Sequence, residues 1–161
     1  MKQILIPTDF SLSSLDLVEQ TAETLNADRM NVILFHVFDM PSGIRDLLFL
    51  NKSIHHTNLV SDQFMVKCEA LKKRYPFNIH SITLQYVYGD SKSIFKSFLA
   101  ACGADMIVCP DHLKLRLTHP SSVDPSRLIA RCKVPLLTEF RSPATFSFAA
   151  SRQRTLTVLS S

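Results

Sequence analysis

The chain has 161 residues, 46% of them hydrophobic and 20% charged, which is enough for one globular domain with its own core. No apolar run is long enough to cross a bilayer, and residues 1–10 lack the pattern of a secretory leader, so a cytoplasmic protein with no membrane contact is expected. The formal charge of +4 is lopsided: residues 1–111 hold 10 Lys/Arg against 12 Asp/Glu (−2), and residues 112–161 hold 8 against 2 (+6). Such an excess suits either an anionic ligand or acidic partner near the last third, or a solvated basic surface. No nucleic-acid-binding motif or aromatic-basic interleaving accompanies it.

In chain order, residues 4–6 open a short apolar strand. Leu15, Val18, Ala22 and Leu25 then mark one face of a helix, with Ser11, Ser13 or Ser14 to cap it. Residues 31–38 (NVILFHVF) are apolar nearly throughout, as a strand covered on both faces would be. Residues 40–58 are irregular, with a short helix expected around 44–50. Val60, Phe64, Cys68 and Leu71 recur at helical spacing up to a stop at Pro76.

A third strand is read over 79–87, turning at Gly89. Asp90 or Ser91 caps the next helix, whose inward face is read as Ile94, Phe98 and Cys102, with Gly103 ending it. Residues 106–108 form the fourth strand. Asp124 and Pro125 look like an N-cap followed by proline in the first turn, with Leu128 and Ile129 inward, and a fifth strand follows at 134–140. Residues 141–161 are a separate Ser-, Thr- and Arg-rich tail, although TLTVL (155–159) alternates like a strand.

Strand–helix alternation with short connections implies right-handed crossovers and a mostly parallel α/β sheet with helices on both faces. Ligands of such sheets lie at the carboxyl ends of the strands, where strand order reverses. Residues 7–11, 36–40 and 109–123 should meet there.

Over residues 2–140 the chain resembles a universal stress protein domain. The resemblance is carried by ILIPTDFSLSSLDLVEQTAETL (4–25), VILFHVFD (32–39), VYGDSKSIFKSFLAACGADMIVCP (87–110) and LIARCKVPLL (128–137), in that order and spacing. It implies a doubly wound five-stranded sheet in the order 3-2-1-4-5 and, commonly, a homodimer. Members that bind ATP carry G-x-x-G-x(8–10)-G-(S/T) after the fourth strand. Here the corresponding loop is CPDHLKLRLTHPSSV (109–123), which contains no glycine. Pro110 and Leu113 stand at glycine positions, and Ser121 and Ser122 stand near the final pair.

Glycine allows positive φ and lets backbone N–H groups approach phosphate oxygens, whereas proline has no N–H. Forcing ordinary residues into such conformations costs on the order of 1–3 kcal/mol each. No ATP cofactor is therefore expected; ATP or phosphate would need an altered loop. The resemblance still places Pro7, Thr8, Asp9, His36 and Val37 in a degenerate nucleotide or anion site with Pro110, Lys114, Ser121 and Ser122. Arg116 and His119 could add charge. Asp9 has a second reading, as an acceptor of backbone N–H bonds that caps the first helix.

Other chemistry is thinner. His55 and His56 are adjacent and lack a carboxylate or cysteine at ligand spacing, so no metal is expected. His112 and His119, with Asp111 and Ser121 or Ser122, contain the residue types of a hydrolytic triad but no nucleophile-elbow pattern. Cys68, Cys102, Cys109 and Cys132 have no C-x-x-C pairing and read as reduced thiols. The expected function is a non-enzymatic stress-response sensor or scaffold with an unknown protein partner. The alternatives are a small-anion or nucleotide module using a rebuilt loop and, behind it, a weak hydrolase. The fifth strand lies at a sheet edge, to be covered by the same strand of a second chain or by the TLTVL tail strand of its own or a neighbouring chain, so a homodimer built around residues 134–159 is expected.

Overall fold

The computed structural model describes residues 1–25, 29–39, 59–110, 113–117 and 122–140. Its strands are β1 (Lys2–Pro7), β2 (Met30–Phe38), β3 (Ile79–Tyr88), β4 (Met106–Val108), β5 (Ser122–Val123) and β6 (Leu136–Leu137). Its helices are α1 (Asp16–Thr24), entered through a 3-10 turn at Leu12–Leu15, α2 (Asp62–Arg74), α3 (Lys92–Cys102) and α4 (Ser126–Ala130).

β1 pairs in parallel with β2 and β4, β2 with β3, and β4 with β6. The resulting order, 3-2-1-4-6, is the expected doubly wound sheet, with the strand read at 134–140 shortened to β6. The extra strand is β5, which runs antiparallel to β2 through Val37–Val123 and Phe38–Ser122. β3 occupies one edge of β2 as far as Phe38–Tyr88, whereas β1 leaves the other edge after Pro7–Phe35. β5 therefore takes the edge that β1 vacates.

Strand periodicity explains the two cores. Ile4, Ile6, Val32 and Leu34 face α1 and α2, where they meet Leu15, Val18, Ala22, Phe64, Cys68 and Leu71. Leu5, Ile33, Phe35 and Val37 point the other way, to Phe95 and Leu99 of α3 and Leu128 and Ile129 of α4. Both faces of β1 and β2 are covered, hence their unbroken apolar sequence.

Serine starts three of the helical segments. Ser11, Ser61 and Ser91 accept from the N–H groups of Ser14, Phe64 and Ile94. Gly103 closes α3 with φ 63°, a left-handed value suited to glycine. The inward face of α3 differs from the expected one: Phe95 and Leu99 are buried, while Ile94, Phe98 and Cys102 are only partly so. The five form one broad apolar stripe, and the sheet takes its centre.

Cys68 sits inside the α2 contact with the sheet, and burial pushes its thiol up to about 11. At pH 8 its thiolate is scarce and shielded. In a thiol titration with an aromatic disulfide, Cys68 should react only after denaturant is added. Prompt labelling of Cys68 in the native protein would contradict this placement.

Candidate functional site

The carboxyl end of β1 is tied down residue by residue. The Thr8 N–H continues the strand by donating to the Phe35 carbonyl at 2.9 Å. The Thr8 hydroxyl bonds the Ser14 hydroxyl at 2.7 Å and accepts the Phe10 N–H at 3.1 Å. Phe10 has φ 65°, the one positive value among the described non-glycine residues. Such a conformation costs on the order of 1–3 kcal/mol and persists only where its surroundings enforce it. Here it turns the ring inward, to 4.7 Å from the His36 imidazole and 6.1 Å from Tyr86.

Asp9 is only 5% exposed. Its carboxylate accepts the Ser11 N–H at 3.0 Å, the Ser11 hydroxyl, and the Arg116 N–H at 3.0 Å. Burial alone would raise its pKa. The hydrogen bonds from Ser11 and the Arg116 N–H, with the Arg116 charge, outweigh burial and hold the carboxyl below its ordinary range. Asp9 thus accepts backbone N–H bonds, as its second reading expects, but the cap of the first helical turn is Ser11, which Asp9 supports while also fastening a distant loop.

His36 is the second anchor, 3% exposed. Its Nδ1 lies 2.7 Å from the Thr8 carbonyl and its Nε2 lies 2.7 Å from the Ser122 hydroxyl. A carbonyl can only accept, which puts a proton on Nδ1. In the neutral ring the Ser122 hydroxyl then donates to Nε2. The Phe10 and Phe38 rings each lie 4.7 Å from the imidazole. A serine bonded to an oriented histidine is a hydrolytic pairing in outline. In this setting both partners are buried among aromatic rings, and the pair stitches β2 to β5.

These anchors define the course of the loop after β4. Pro110 is buried, and the Leu113 N–H turns back to the Pro110 carbonyl at 3.0 Å. Leu113 packs against the α1–α2 core, and the Arg116 N–H goes to Asp9. The loop ends as β5 on β2. It starts on one side of β1 and finishes on the other, so the chain itself bridges the crevice where strand order reverses.

Thr8, Asp9, His36 and Ser122 are thus joined around one strand end, next to Pro7 and with Pro110 opening the loop, while Val37 faces the α3–α4 core. Lys114 is exposed and makes no hydrogen bond or ion pair with a described residue. Ser121, Asp111, His112 and His119 lie outside the described residues, as do His55, His56, the helix expected at 44–50 and the tail 141–161. At the start of α4, Asp124 accepts the Ser126 N–H at 2.9 Å and its hydroxyl at 2.6 Å. A carboxylate already sits where an anion would be drawn.

Sequence reading missed Phe10, Ser14 as a partner of Thr8, and the Arg116 N–H. Nothing in residue type announces a phenylalanine at positive φ or a backbone group reaching back 107 positions. Among the described residues no group of three His, Cys, Asp or Glu could hold a metal, and no helix is long and apolar enough to cross a membrane.

No family model matches the chain, and no curated protein matches it. Solved structures do. The hypothetical protein PH0823 is 24% identical, with 88% of this chain and 98% of that one covered and a TM-score of 0.54. The universal stress protein UspA from Lactobacillus plantarum is 14% identical, with 87% and 97% covered and a TM-score of 0.50. A universal stress protein family protein from Arabidopsis thaliana, At3g01520, with AMP bound, is 13% identical, with 89% and 94% covered and a TM-score of 0.49. The α/β fold of this chain, with its 3-2-1-4-6 strand order, is the fold of the universal stress proteins.

Proposed function

We propose that the chain is a non-enzymatic, universal stress protein-like sensor or scaffold that does not bind ATP in the manner of the glycine-loop members. One observation carries this reading: two described N–H groups of the loop after β4, those of Leu113 and Arg116, are spent on the protein itself. A phosphate cradle needs such groups free and converging. Here the Leu113 N–H is bonded to Pro110 and the Arg116 N–H to Asp9. The buried carboxylate would also repel phosphate at the same strand end. Calorimetric titration with ATP and with AMP is expected to give no saturable heat at micromolar concentration. A one-site micromolar dissociation constant for either would overturn the reading.

The same reading includes a homodimer. β6 is bonded to β4 on one edge, and no described strand covers the other. An edge strand that carries the partly buried Leu136, with the partly buried Val134 just before it, favours pairing with its counterpart in a second copy about a two-fold axis. Light scattering should give the mass of a dimer at micromolar concentration. A monomer at that concentration would sink the arrangement.

A further inference from the structure

On the face of the sheet opposite α1 and α2, α3 runs for 11 residues but its neighbour α4 for only five. The mismatch leaves a half-open groove of about 410 Å³ between them. Its apolar wall includes Leu99 and Leu128, and its rim carries Lys92, Lys96, Arg131 and Lys133. All four cations are exposed, and none is in an ion pair with a described residue. Among the described residues, no acidic side chain lines the groove.

Lys92 and Arg131 also line an adjoining pocket with Asp90 and Asp124, whereas Lys96 and Lys133 have no acidic neighbour among the described residues of either pocket, so the rim keeps a net positive charge. Lys92 and Lys96 are four apart on α3, so they repel across one turn. Leu99 and Leu128 in the floor are already buried, and the trough's water-facing apolar surface lies beside Ala100, Ala104 and Val134, where covering it would add hydrophobic burial. One kind of molecule answers both: an apolar body that fills the trough and an anionic head that meets the rim. The volume falls within the several hundred Å³ typical of small-molecule pockets, well short of a protein interface.

We propose that this groove binds a small amphipathic anion, an aliphatic carboxylate whose chain lies against Leu99 and Leu128 and whose head is held by Arg131 and the neighbouring lysines. Arginine is suited to hold a carboxylate by two parallel hydrogen bonds. The groove shares no residue with the cluster around Asp9 and His36, but it shares Val134 with the proposed dimer edge, so the titration is run alongside light scattering at the same concentration.

The test is an amide-shift titration of the full chain with decanoate below its micellar concentration. Parallel arms use 1-decanol, inorganic phosphate and vesicles of anionic phospholipid. Decanoate should saturably shift the amides of residues 92–104 and 128–134. Decanol and phosphate should each bind at least about tenfold more weakly, because each supplies only half of the complement. The double variant Lys96→Glu, Arg131→Glu should weaken decanoate by about tenfold or more with its melting curve preserved.

Equal binding of decanol, or equal binding by the variant, would overturn the proposal by removing the role of the cations. Equal binding of phosphate would reduce the groove to a plain anion patch. Vesicle binding without decanoate binding would make the face a membrane-docking surface instead. Absence of saturable shifts in those two segments would dispose of the site altogether.

Discussion

Phe35→Ala is expected to lower the unfolding free energy by about 3–5 kcal/mol, the cost of emptying a large buried aromatic site. Phe35 is 0% exposed. It stands in β2 between Pro7 of β1 and Gln85 of β3. Its ring lies 5.9 Å from Phe95 and 5.7 Å from Phe98, so it is the aromatic contact that docks α3 on the sheet. Backbone hydrogen bonds hold the strand on both sides, so the sheet cannot close around the gap. A domain's whole stability is about 5–15 kcal/mol, so this loss takes a large share of it. Urea denaturation should show a lower midpoint with little change in slope. A loss under about 1.5 kcal/mol would mean that α3 repacks freely, contrary to a ring set between two others.

The same strand shows why much of the architecture was legible. Residues 31–38 read as a doubly covered strand because apolar side chains on both faces are a local property of the sequence. The α1 and α2 faces, the Ser11 and Ser91 caps and the Gly103 stop were legible for similar reasons, since cap and periodicity act within a few residues; the Ser61 cap was not read. α3 was readable as a helix but not in its rotation. Its five-residue apolar stripe is wider than the contact, and only the position of Phe35 and the sheet decides which part faces in. β5 left no trace, because two residues have no period. They become a strand only where β1 has vacated the edge of β2.

The site divides along the same line. Pro7, Thr8, Asp9 and His36 were identified as a group through family resemblance, and they do converge. What they converge on was hidden. The bonds that matter join Asp9 to the backbone of Arg116 and His36 to Ser122, across 107 and 86 positions. Neither depends on a motif. A backbone N–H has no residue identity to read, and Ser122 resembled a remnant of a phosphate loop as much as a partner for an imidazole. The absence of glycine was the one useful signal: it argued against a cradle without showing the course the loop takes instead.

Asp9→Asn is expected to cost about 1.5–3 kcal/mol at neutral pH, the range for hydrogen bonds to a charged group. The amide keeps the size of the carboxylate, but its NH₂ must face a donor, either Ser11 or the Arg116 N–H. The pH dependence identifies the cause. The folded carboxyl is held below its ordinary value of 3.8, so the unfolded chain takes up the proton first. Its contribution is complete above that ordinary value and is lost as pH falls through the lower folded one. Denaturation midpoints of the two proteins should therefore lie furthest apart at neutral pH and converge as the pH falls below 3.8. Amide exchange at Arg116 should be faster in the variant, because its acceptor is weakened. Arg116→Ala is the control. Its guanidinium is 74% exposed with Nε 3.9 Å from Asp9, and such exposed pairs contribute under about 1 kcal/mol. That change keeps the backbone N–H and should leave the loop closed. If Arg116→Ala matched Asp9→Asn, or if the Asp9→Asn and wild-type pH profiles ran parallel, a surface ion pair and not the buried carboxylate would be holding the loop across the strand ends.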